Sequence, residues 1–397
     1  MAPPSNDIGP SYEIGRVPRT LVGASSLGDL GALLDGLDGT TLVVIADQGV
    51  QATGYITRVV AALQPRPITL HVVAWGEPTI DSVDAAAAVV RAAGQAIVIG
   101  VGGGSALDIA KQAAVVGAGD SGVEPYLLCA NPLPGRRPIV AIPTTSGTGA
   151  EVTRTCIVAD RAGRKSWTWG DELLPDLVVL DPTAAATMPH AVTVGTGLDA
   201  FVHAIEACSG QRRNSVAAGS AQRALSLVLA HLPRVAIDGS DLLSRQAMQE
   251  AAYLAGIAID NCGTGVAHSI GHSLGSQYHI PHGISVAVGL RAALEWNVVG
   301  QPGVYVDAAS ALSCDVAEVA TVFATLCDEV GLHTAIGTPD VPMSVEEIAS
   351  TMYAIENQPM LNNNARAVSD DDRRMLAERT VEVWHGLANG LRNGRGQ

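Results

Sequence analysis

Two patterns of hydrophobic and polar positions divide this sequence. In the first half, short runs of β-branched and other apolar residues alternate with alanine-rich amphipathic stretches, which predicts the strands and crossover helices of a largely parallel sheet. The runs that predict strands lie at 41–47, 69–76, 95–102, 137–145 and 176–182. Between them, the stretches VDAAAAVVRAAG and SALDIAKQAAVVGAG predict helices. We therefore expect an α/β fold in this half of the chain.

The pattern changes after about residue 190. Segments such as SAQRALSLVLAHL, SRQAMQEAAYLAGIAI and DVAEVATVFATLCDEVGL have apolar residues at helical spacing, and few strand-like runs separate them. We predict an α/β domain over residues 1–188, in which residues 1–10 are frayed, and an all-helical domain over residues 189–397.

Composition and charge narrow the class of protein. The chain has 397 residues, of which 47% are hydrophobic and 16% charged, so two packed domains are expected. A formal net charge of −15 disfavours binding to nucleic acid or to an anionic lipid surface. No uninterrupted apolar stretch reaches roughly 18 residues, and the opening MAPPSNDIGP lacks the pattern of a secretion signal. We expect a cytoplasmic protein without nucleic-acid or membrane partners.

A glycine-rich loop lies between a predicted strand and a predicted helix, in IVIGVGGGSALDIAK. Uncrowded backbone N–H groups at a helix N-terminus can hold a pyrophosphate. The candidate contacts are Gly102, Gly103, Gly104, Ser105 and Asp108. The usual dinucleotide fingerprint is not matched, because Ser105 stands where the third glycine belongs. Taken alone, the loop is equally compatible with a plain tight turn.

A second loop, IPTTSGTGAE, also follows an apolar strand and offers the hydroxyls of Thr144, Thr145 and Thr148. Two such loops at the carboxyl ends of parallel strands indicate a nucleotide crevice. Asp47 ends another strand, where a carboxylate accepts hydrogen bonds from an adenosine ribose and repels a 2′-phosphate. This favours NAD over NADP; the alternative is an ordinary turn aspartate.

The two lysines of this arginine-rich chain, Lys111 and Lys165, lie near these loops. A compact ammonium at either place can serve the cofactor or the substrate, and chance retention is an equal alternative.

Histidine and aspartate residues form two groups in the second half. Asp199 and His203 are four residues apart, so they share one face of a helix. A second group contains His268, His272, His279 and His282. One carboxylate with several imidazoles suits a divalent ion such as Fe²⁺ or Zn²⁺. Spacing alone does not choose between His268 and His272 as a ligand.

These segments together resemble the iron-containing (group III) alcohol dehydrogenase family, within the dehydroquinate synthase-like superfamily. The resemblance runs from SYEIGR near residue 11 to EWN at 297. It is carried by GGGSALDIAK, IPTTSGTGAEVT, LPDLVVLDP, GLDAFVHAIEA and the histidine segment that ends in PHG. LNNNAR at 361 is only loosely similar to an Asn-Pro-Arg stretch of the family.

The resemblance implies a dinucleotide-binding domain followed by a helical metal-binding domain, with the active site between them. The metal ligands that it implies are Asp199, His203, His268 and His282. It places His272 near the nicotinamide as a candidate proton relay, and it places Thr144 and Lys165 at positions that contact the cofactor. Glu77 departs from the family, which often has an uncharged amide there.

From these observations we expect a metal-dependent alcohol dehydrogenase or aldehyde reductase that transfers a hydride between a nicotinamide cofactor and a small alcohol or aldehyde. The resemblance implies Fe²⁺, with Zn²⁺ admissible, and a homodimer or larger homo-oligomer. NAD is preferred, with NADP admissible. A polyol dehydrogenase or lyase of the same superfamily is one alternative. Another is a serine hydrolase, because Gly271-His272-Ser273-Leu274-Gly275 matches G-x-S-x-G, although no strong strand precedes it.

Overall fold

A six-stranded parallel sheet forms the centre of the first half. The computed structural model describes residues 11–336 and 342–394, with side chains described to residue 390, so the predicted fraying of residues 1–10 lies outside the described residues. The strands of the sheet are β1 (Arg19–Val22), β2 (Thr41–Asp47), β3 (Ile68–Val73), β4 (Ala96–Gly102), β5 (Ile139–Pro143) and β8 (Leu177–Leu180), in the order β1-β8-β5-β4-β2-β3. The five predicted strands are confirmed, and β1 was not predicted.

The central strands are buried on both faces, which explains why their sequences are almost continuously apolar. Along β2, Leu42 and Val44 pack into one hydrophobic cluster, while Val43 and Ile45 pack into another on the opposite face. Helices cover both faces. They are α1 (Leu30–Leu33), α2 (Gln48–Ala52), α3 (Tyr55–Ala62), α4 (Ile80–Ala92), α5 (Gly104–Val116) and α6 (Pro182–Ala185).

An antiparallel hairpin, formed by β6 (Thr155–Ala159) and β7 (Lys165–Trp169), is inserted before the last strand of the sheet. Its turn is closed by Asp160, whose Oδ1 accepts hydrogen bonds from the backbone N–H groups of Ala162 and Arg164, each at 2.9 Å. The hairpin was not predicted. The alternation in KSWTW and the turn residues DRAG were the available signals.

Beyond the sheet, the described chain is helical. The helices are α7 (His190–Ser209), α8 (Ser215–Ile237), α9 (Leu242–Cys262), α10 (Val266–Tyr278), α11 (His282–Gly300), α12 (Val306–Leu312), α13 (Val319–Glu329), α14 (Leu332–Ala335), α15 (Val345–Met352), α16 (Gln358–Asn363) and α17 (Asp370–Gly394). Their inward faces form one large apolar cluster that includes Phe201, Leu232 and Phe323. The structure thus has a parallel-sheet N-terminal domain and a mostly helical C-terminal domain, as the sequence predicts.

Helix α9 joins the helical part to the carboxyl edge of the sheet. The Gln249 side chain donates to the carbonyl oxygens of Pro143 and Asp181, at 3.3 and 3.1 Å. At Gly149, whose φ is +63°, a Cβ atom would lie 2.5 Å from Cα of Gly256. Only glycine permits this close approach. The threonine loop is therefore held between the sheet and the helices.

Within the described ranges, no single helix has the length and apolar composition needed to cross a membrane. The segments Pro302–Leu312 and Val316–Glu329 reach that composition only as a pair, and they are bent by 83°.

Candidate metal centre and nucleotide crevice

Three histidine side chains converge on one carboxylate oxygen in the helical part. Asp199 Oδ1 lies 3.6 Å from Nε2 of His203 and 3.8 Å from Nε2 of both His268 and His282. Asp199, His203 and His268 are buried, whereas the His282 side chain is 27% exposed. These separations are too long for hydrogen bonds. Ligand atoms that share a tetrahedral ion at about 2.1 Å lie about 3.4 Å apart, which is close to this spacing.

Three different elements supply these side chains. Asp199 and His203 are one turn apart on α7, His268 lies in the first turn of α10, and His282 begins α11 after Pro281. Within the described part of the chain, Asp199 Oδ1 and His268 Nε2 are buried and have no hydrogen-bond partner. A buried polar atom without a partner is costly, so two of them aimed at one point fit the place of a cation.

Hydrogen bonds at Nδ1 orient the rings of two of these histidines. Nδ1 of His203 lies 3.3 Å from the carbonyl oxygen of Gly147, and a carbonyl can only accept a hydrogen bond. Nδ1 of His268 lies 2.6 Å from Oε2 of Glu206. In each ring the proton therefore belongs on Nδ1, and the lone pair of Nε2 points toward Asp199.

Burial and nearby charges together set the pKa values of the histidines in this cluster. Burial lowers the pKa of His203, and burial together with the charge of Lys165 holds the pKa of His282 well below its usual value. For His268, burial opposes protonation, but the carboxylate of Glu206 outweighs it and raises the pKa. Neutral imidazole is the form that binds a metal ion.

His272 and His279 have different surroundings. His272 lies one turn after His268 on α10, and its Nδ1 lies 3.1 Å from Oδ1 of Asn357. Burial and the nearby Lys165 hold the pKa of His272 well below its usual value. His279 ends α10 with a positive φ of 54° and is exposed. The structure therefore brings His272 to the cluster and leaves His279 outside it.

Lys165 connects the hairpin to the histidine cluster. Its side chain is 7% exposed, and Nζ lies 2.8 Å from Oε1 of Glu77, which follows β3. A Cβ atom at Gly275 of α10 would lie 3.3 Å from the same Nζ, so the ammonium packs against the helix that carries His268 and His272. Glu77 thus partly neutralises the cation nearest the histidines.

The glycine loop and the threonine loop touch each other. A Cβ atom at Gly103 would lie 3.2 Å from Cγ2 of Thr145, and one at Gly104 would lie 2.7 Å from Cγ2 of Thr148. Helix α5 begins at Gly104 without a side-chain cap. Its first N–H groups therefore remain available to an anion.

Asp47 lies beside the glycine loop at the carboxyl edge of the sheet. A Cβ atom at Gly102 would lie 2.5 Å from its Oδ2, while its Oδ1 caps α2 by accepting from the N–H of Val50 at 2.8 Å. Asp47 therefore has the helix-capping role of an ordinary turn aspartate, and its second oxygen lies beside the glycine loop.

Asp108 and Lys111 are buried residues of α5, the helix that follows the glycine loop. Asp108 Oδ2 accepts from the N–H of Ile157 at 2.9 Å, and burial raises the pKa of Asp108 to about 6. The ammonium of Lys111 donates to the carbonyl oxygens of Ala150, Thr153 and Thr155 at 2.8 to 3.0 Å. Lys111 therefore fastens the chain after the threonine loop to α5. Lys111 is 1% exposed, so its ammonium is not accessible to a cofactor.

Sequence reasoning missed Glu206 and Asn357. Glu206 follows His203 by three residues on α7, and this spacing was a signal that it shares a helix face with the predicted ligands. Asn357 is distant from His272 in sequence, so their contact depends on the tertiary fold. Ser273 is fully buried within α10, and its hydroxyl donates to the carbonyl of Ser269. This excludes the exposed strand-to-helix elbow that a serine hydrolase needs.

Comparison with known proteins agrees with the fold. The model of the family described as iron-containing alcohol dehydrogenase matches residues 18–182, and that of the C-terminal domain of the same family matches residues 193–380. A sulfoacetaldehyde reductase of Bilophila wadsworthia is 30% identical over 92% of this chain and 98% of its own. Long-chain-alcohol dehydrogenase 1 of Geobacillus thermodenitrificans is 32% identical, covering 91% of this chain and 94% of its own.

Among solved structures, the sulfoacetaldehyde reductase of Bifidobacterium kashiwanohense in complex with NAD⁺ has a TM-score of 0.82 and 24% identity, and covers 93% of this chain and 98% of its own. The fold and the relatives define this protein as an alcohol or aldehyde oxidoreductase. The two matched models cover most of both domains. The chain belongs to the iron-containing alcohol dehydrogenase family. The comparisons therefore favour this family over the alternative interpretation, a lyase or polyol dehydrogenase from another branch of the superfamily.

Proposed function

We propose that this protein is an NAD-preferring, Fe²⁺-dependent alcohol dehydrogenase or aldehyde reductase acting on small alcohols or aldehydes. The observation that supports it most strongly is the convergence of three Nε2 atoms on Asp199 Oδ1, at 3.6 to 3.8 Å. Asp199, His203, His268 and His282 would hold the ion. A divalent ion held there supplies Lewis-acid polarisation of an alcohol or aldehyde oxygen.

The choice of ion follows from the donor set. One carboxylate and three imidazoles are borderline donors, which suit Fe²⁺ and Zn²⁺ and are too poor in oxygen for Ca²⁺ or Mg²⁺. Membership of the iron-containing family favours Fe²⁺, and Zn²⁺ remains the alternative to compare.

The two touching loops would bind the cofactor. In this proposal the residues 1–188 hold the dinucleotide and the residues 189–397 hold the metal. The uncapped start of α5 would receive the pyrophosphate, with Thr144, Thr145, Thr148 and Ser105 beside it. Asp47 would bind the adenosine ribose, which favours NAD over NADP. A reductase of the same fold contains NAD⁺. In this proposal Asp108 and Lys165 would complete the set of cofactor-binding residues.

His272 would act as the proton relay. Its Nδ1 is engaged by Asn357, and its low pKa keeps the ring neutral, so Nε2 is free to accept the proton of an alcohol. We expect the protein to work in the cytoplasm as a homodimer or larger homo-oligomer.

The test is metal removal followed by anaerobic reconstitution with Fe²⁺ or Zn²⁺, with nicotinamide absorbance followed for NAD and NADP against a panel of small alcohols and aldehydes. Turnover restored by an ion and lost in His268→Ala supports the proposal. His272→Asn should lower turnover without loss of bound metal, whereas the exposed matched change His279→Asn should leave turnover unchanged. Metal binding that survives in Asp199→Ala, or a lack of cofactor binding by the wild-type protein, would overturn it.

A further inference from the structure

Two histidines on one face of α10 differ in the group that accepts their Nδ1 proton. His268 faces a carboxylate, since its Nδ1 lies 2.6 Å from Oε2 of Glu206. His272, one turn later, faces an amide oxygen, since its Nδ1 lies 3.1 Å from Oδ1 of Asn357. The spacing in the sequence does not show which of the two histidines is the metal ligand. Their different hydrogen-bond partners do distinguish them.

Glu206 is held in place for this contact. Glu206 is only 5% exposed, and its second carboxylate oxygen, Oε1, accepts a hydrogen bond from the backbone N–H of Ala267 at 2.8 Å. The carboxylate thus binds both the start of α10 and the ring of His268. It comes from the helix that also carries Asp199 and His203, so one face of α7 presents two candidate ligands and the partner of a third.

We propose that Glu206 is a positioning residue that selects His268 as the metal ligand of α10 and fixes its tautomer. A carboxylate that accepts the Nδ1 proton leaves Nε2 unprotonated and makes it a stronger donor. Asn357 orients His272 through a neutral acceptor and gives it no such increase in donor strength. This inference rests on the metal centre under "Proposed function" and adds a residue beyond the four ligands.

The exchange Glu206→Gln separates this role from a purely structural one. The amide oxygen can keep the hydrogen bond to Ala267, while the amide NH₂ faces His268 and must donate to its Nδ1. The ring proton then moves to Nε2, which blocks the lone pair that binds a metal. A residue that only fastened α10 would tolerate this change, because its backbone contact survives.

The experiment measures Zn²⁺ affinity of the metal-free protein by competition with a chromophoric chelator. We expect Glu206→Gln to bind Zn²⁺ about 10- to 100-fold more weakly, as for other outer carboxylates on ligand histidines. The matched control is Glu151→Gln, the same exchange at another carboxylate of a residue that is 3% exposed, which makes no hydrogen bond to a histidine within the described ranges. Its Zn²⁺ affinity should stay within about threefold of the wild type.

A second measurement uses the wild-type protein, so it does not depend on whether a Glu206 variant folds. In metal-free wild-type protein labelled with ¹⁵N-histidine above pH 8, His268 should show a protonated Nδ1 and an unprotonated Nε2, with its signals assigned through their loss in His268→Asn. Equal Zn²⁺ affinity in Glu206→Gln and wild type, or the opposite tautomer of His268, would overturn the inference. Failure of wild-type protein to bind Zn²⁺ at all would instead overturn the metal centre itself.

Discussion

Lys165 and Glu77 form an ion pair beside the histidine cluster, with 2.8 Å between Nζ and Oε1. The lysine side chain is 7% exposed and the glutamate 48%, so one partner lies inside and the other reaches solvent. After burial, the charge of Lys165 is the largest influence that lowers the pKa of His272 and His282. Glu77 therefore reduces the positive electrostatic field of Lys165 at His272 and His282.

Glu77→Gln should make the site more favourable to an aldehyde that carries a sulfonate or carboxylate. The variant leaves the ammonium of Lys165 without its partner, and the change in interaction with a nearby anion is about 1 kcal/mol at an effective dielectric constant of roughly 20 or more. We expect the ratio of kcat/KM for a charged aldehyde to that for a neutral one to rise about fivefold. Steady-state kinetics at low ionic strength measures this ratio.

The matched control for this prediction is Glu124→Gln, which removes a surface carboxylate paired with Arg161. It should leave the ratio unchanged. A ratio in Glu77→Gln that is equal to or lower than that of the wild type would show that Lys165 does not face the substrate.

Most of the sheet was predictable because its central strands are buried on both faces and therefore have almost continuously apolar sequences, as in TLVVIAD. β1 is short and lies at an edge, with exposed end residues and half-buried middle ones, so RTLV carries little signal. The hairpin β6-β7 was missed because its strands interrupt an alternation of strands and helices that otherwise accounts for the first half.

The candidate site was predictable where residues are close in sequence or match a motif. The helical spacing of Asp199 and His203 is local, whereas the contact of His268 with Glu206 joins residues on two helices that pack only in the tertiary structure. The same holds for Lys165 with Glu77 and for His272 with Asn357. Residue types alone could not show which carboxylate or amide meets which ring.

Asp47→Asn should shift cofactor preference toward NADP. Asparagine caps a helix as well as aspartate does, so the bond to the N–H of Val50 is retained, and only the negative charge beside Gly102 is removed. Loss of repulsion toward a 2′-phosphate should raise kcat/KM for NADP relative to NAD by about tenfold, which corresponds to about 1.4 kcal/mol. The two cofactors are compared with one alcohol substrate.

The control is Asp241→Asn, the same exchange at the N-cap of α9, where Oδ1 accepts from the N–H of Ser244. This variant should keep the wild-type ratio. An unchanged ratio in Asp47→Asn would place the adenosine ribose elsewhere.

Because the carboxyl of Glu151 is buried, we expect the unfolding free energy of the protein to be lower at pH 8 than at pH 5. Burial raises the pKa of this carboxyl from 4.5 to about 7. Between these values the folded protein keeps a proton that the unfolded chain has released, so the unfolding free energy is highest below pH 4.5, falls as pH rises toward 7 and levels off above it. The contribution is on the order of 2 kcal/mol.

Urea unfolding of the metal-free protein at pH 5 and pH 8 measures this effect. Glu151→Gln removes the titrating group, so the difference in unfolding free energy between the two pH values should become smaller. Glu346→Gln, at a side chain that is 70% exposed, should leave the difference as it is in the wild type. If Glu151→Gln has the same pH dependence as the wild type, Glu151 titrates normally in the folded protein.

Lys111→Met should destabilise the protein through the backbone that follows the threonine loop. The residue is 1% exposed, and its ammonium is the shared donor to three carbonyl oxygens, those of Ala150, Thr153 and Thr155. Methionine fills a similar volume but leaves these acceptors without that donor, at a cost of about 3 kcal/mol in unfolding free energy. Because the same segment carries the threonine loop, NAD binding should weaken as well.

Urea unfolding and a fluorescence titration with NADH measure the two effects of Lys111→Met. Arg374→Met is the control, since it removes a cation whose side chain is 64% exposed and pairs with the exposed carboxylates of Glu346 and Glu378. Exposed pairs contribute little, so its cost should stay below about 1 kcal/mol, with NADH affinity unchanged. Equal stability losses in the two variants would mean that the buried ammonium contributes no more than a surface charge. If Lys111→Met lowers the stability but keeps the wild-type NADH affinity, then Lys111 stabilises this backbone segment without affecting cofactor binding.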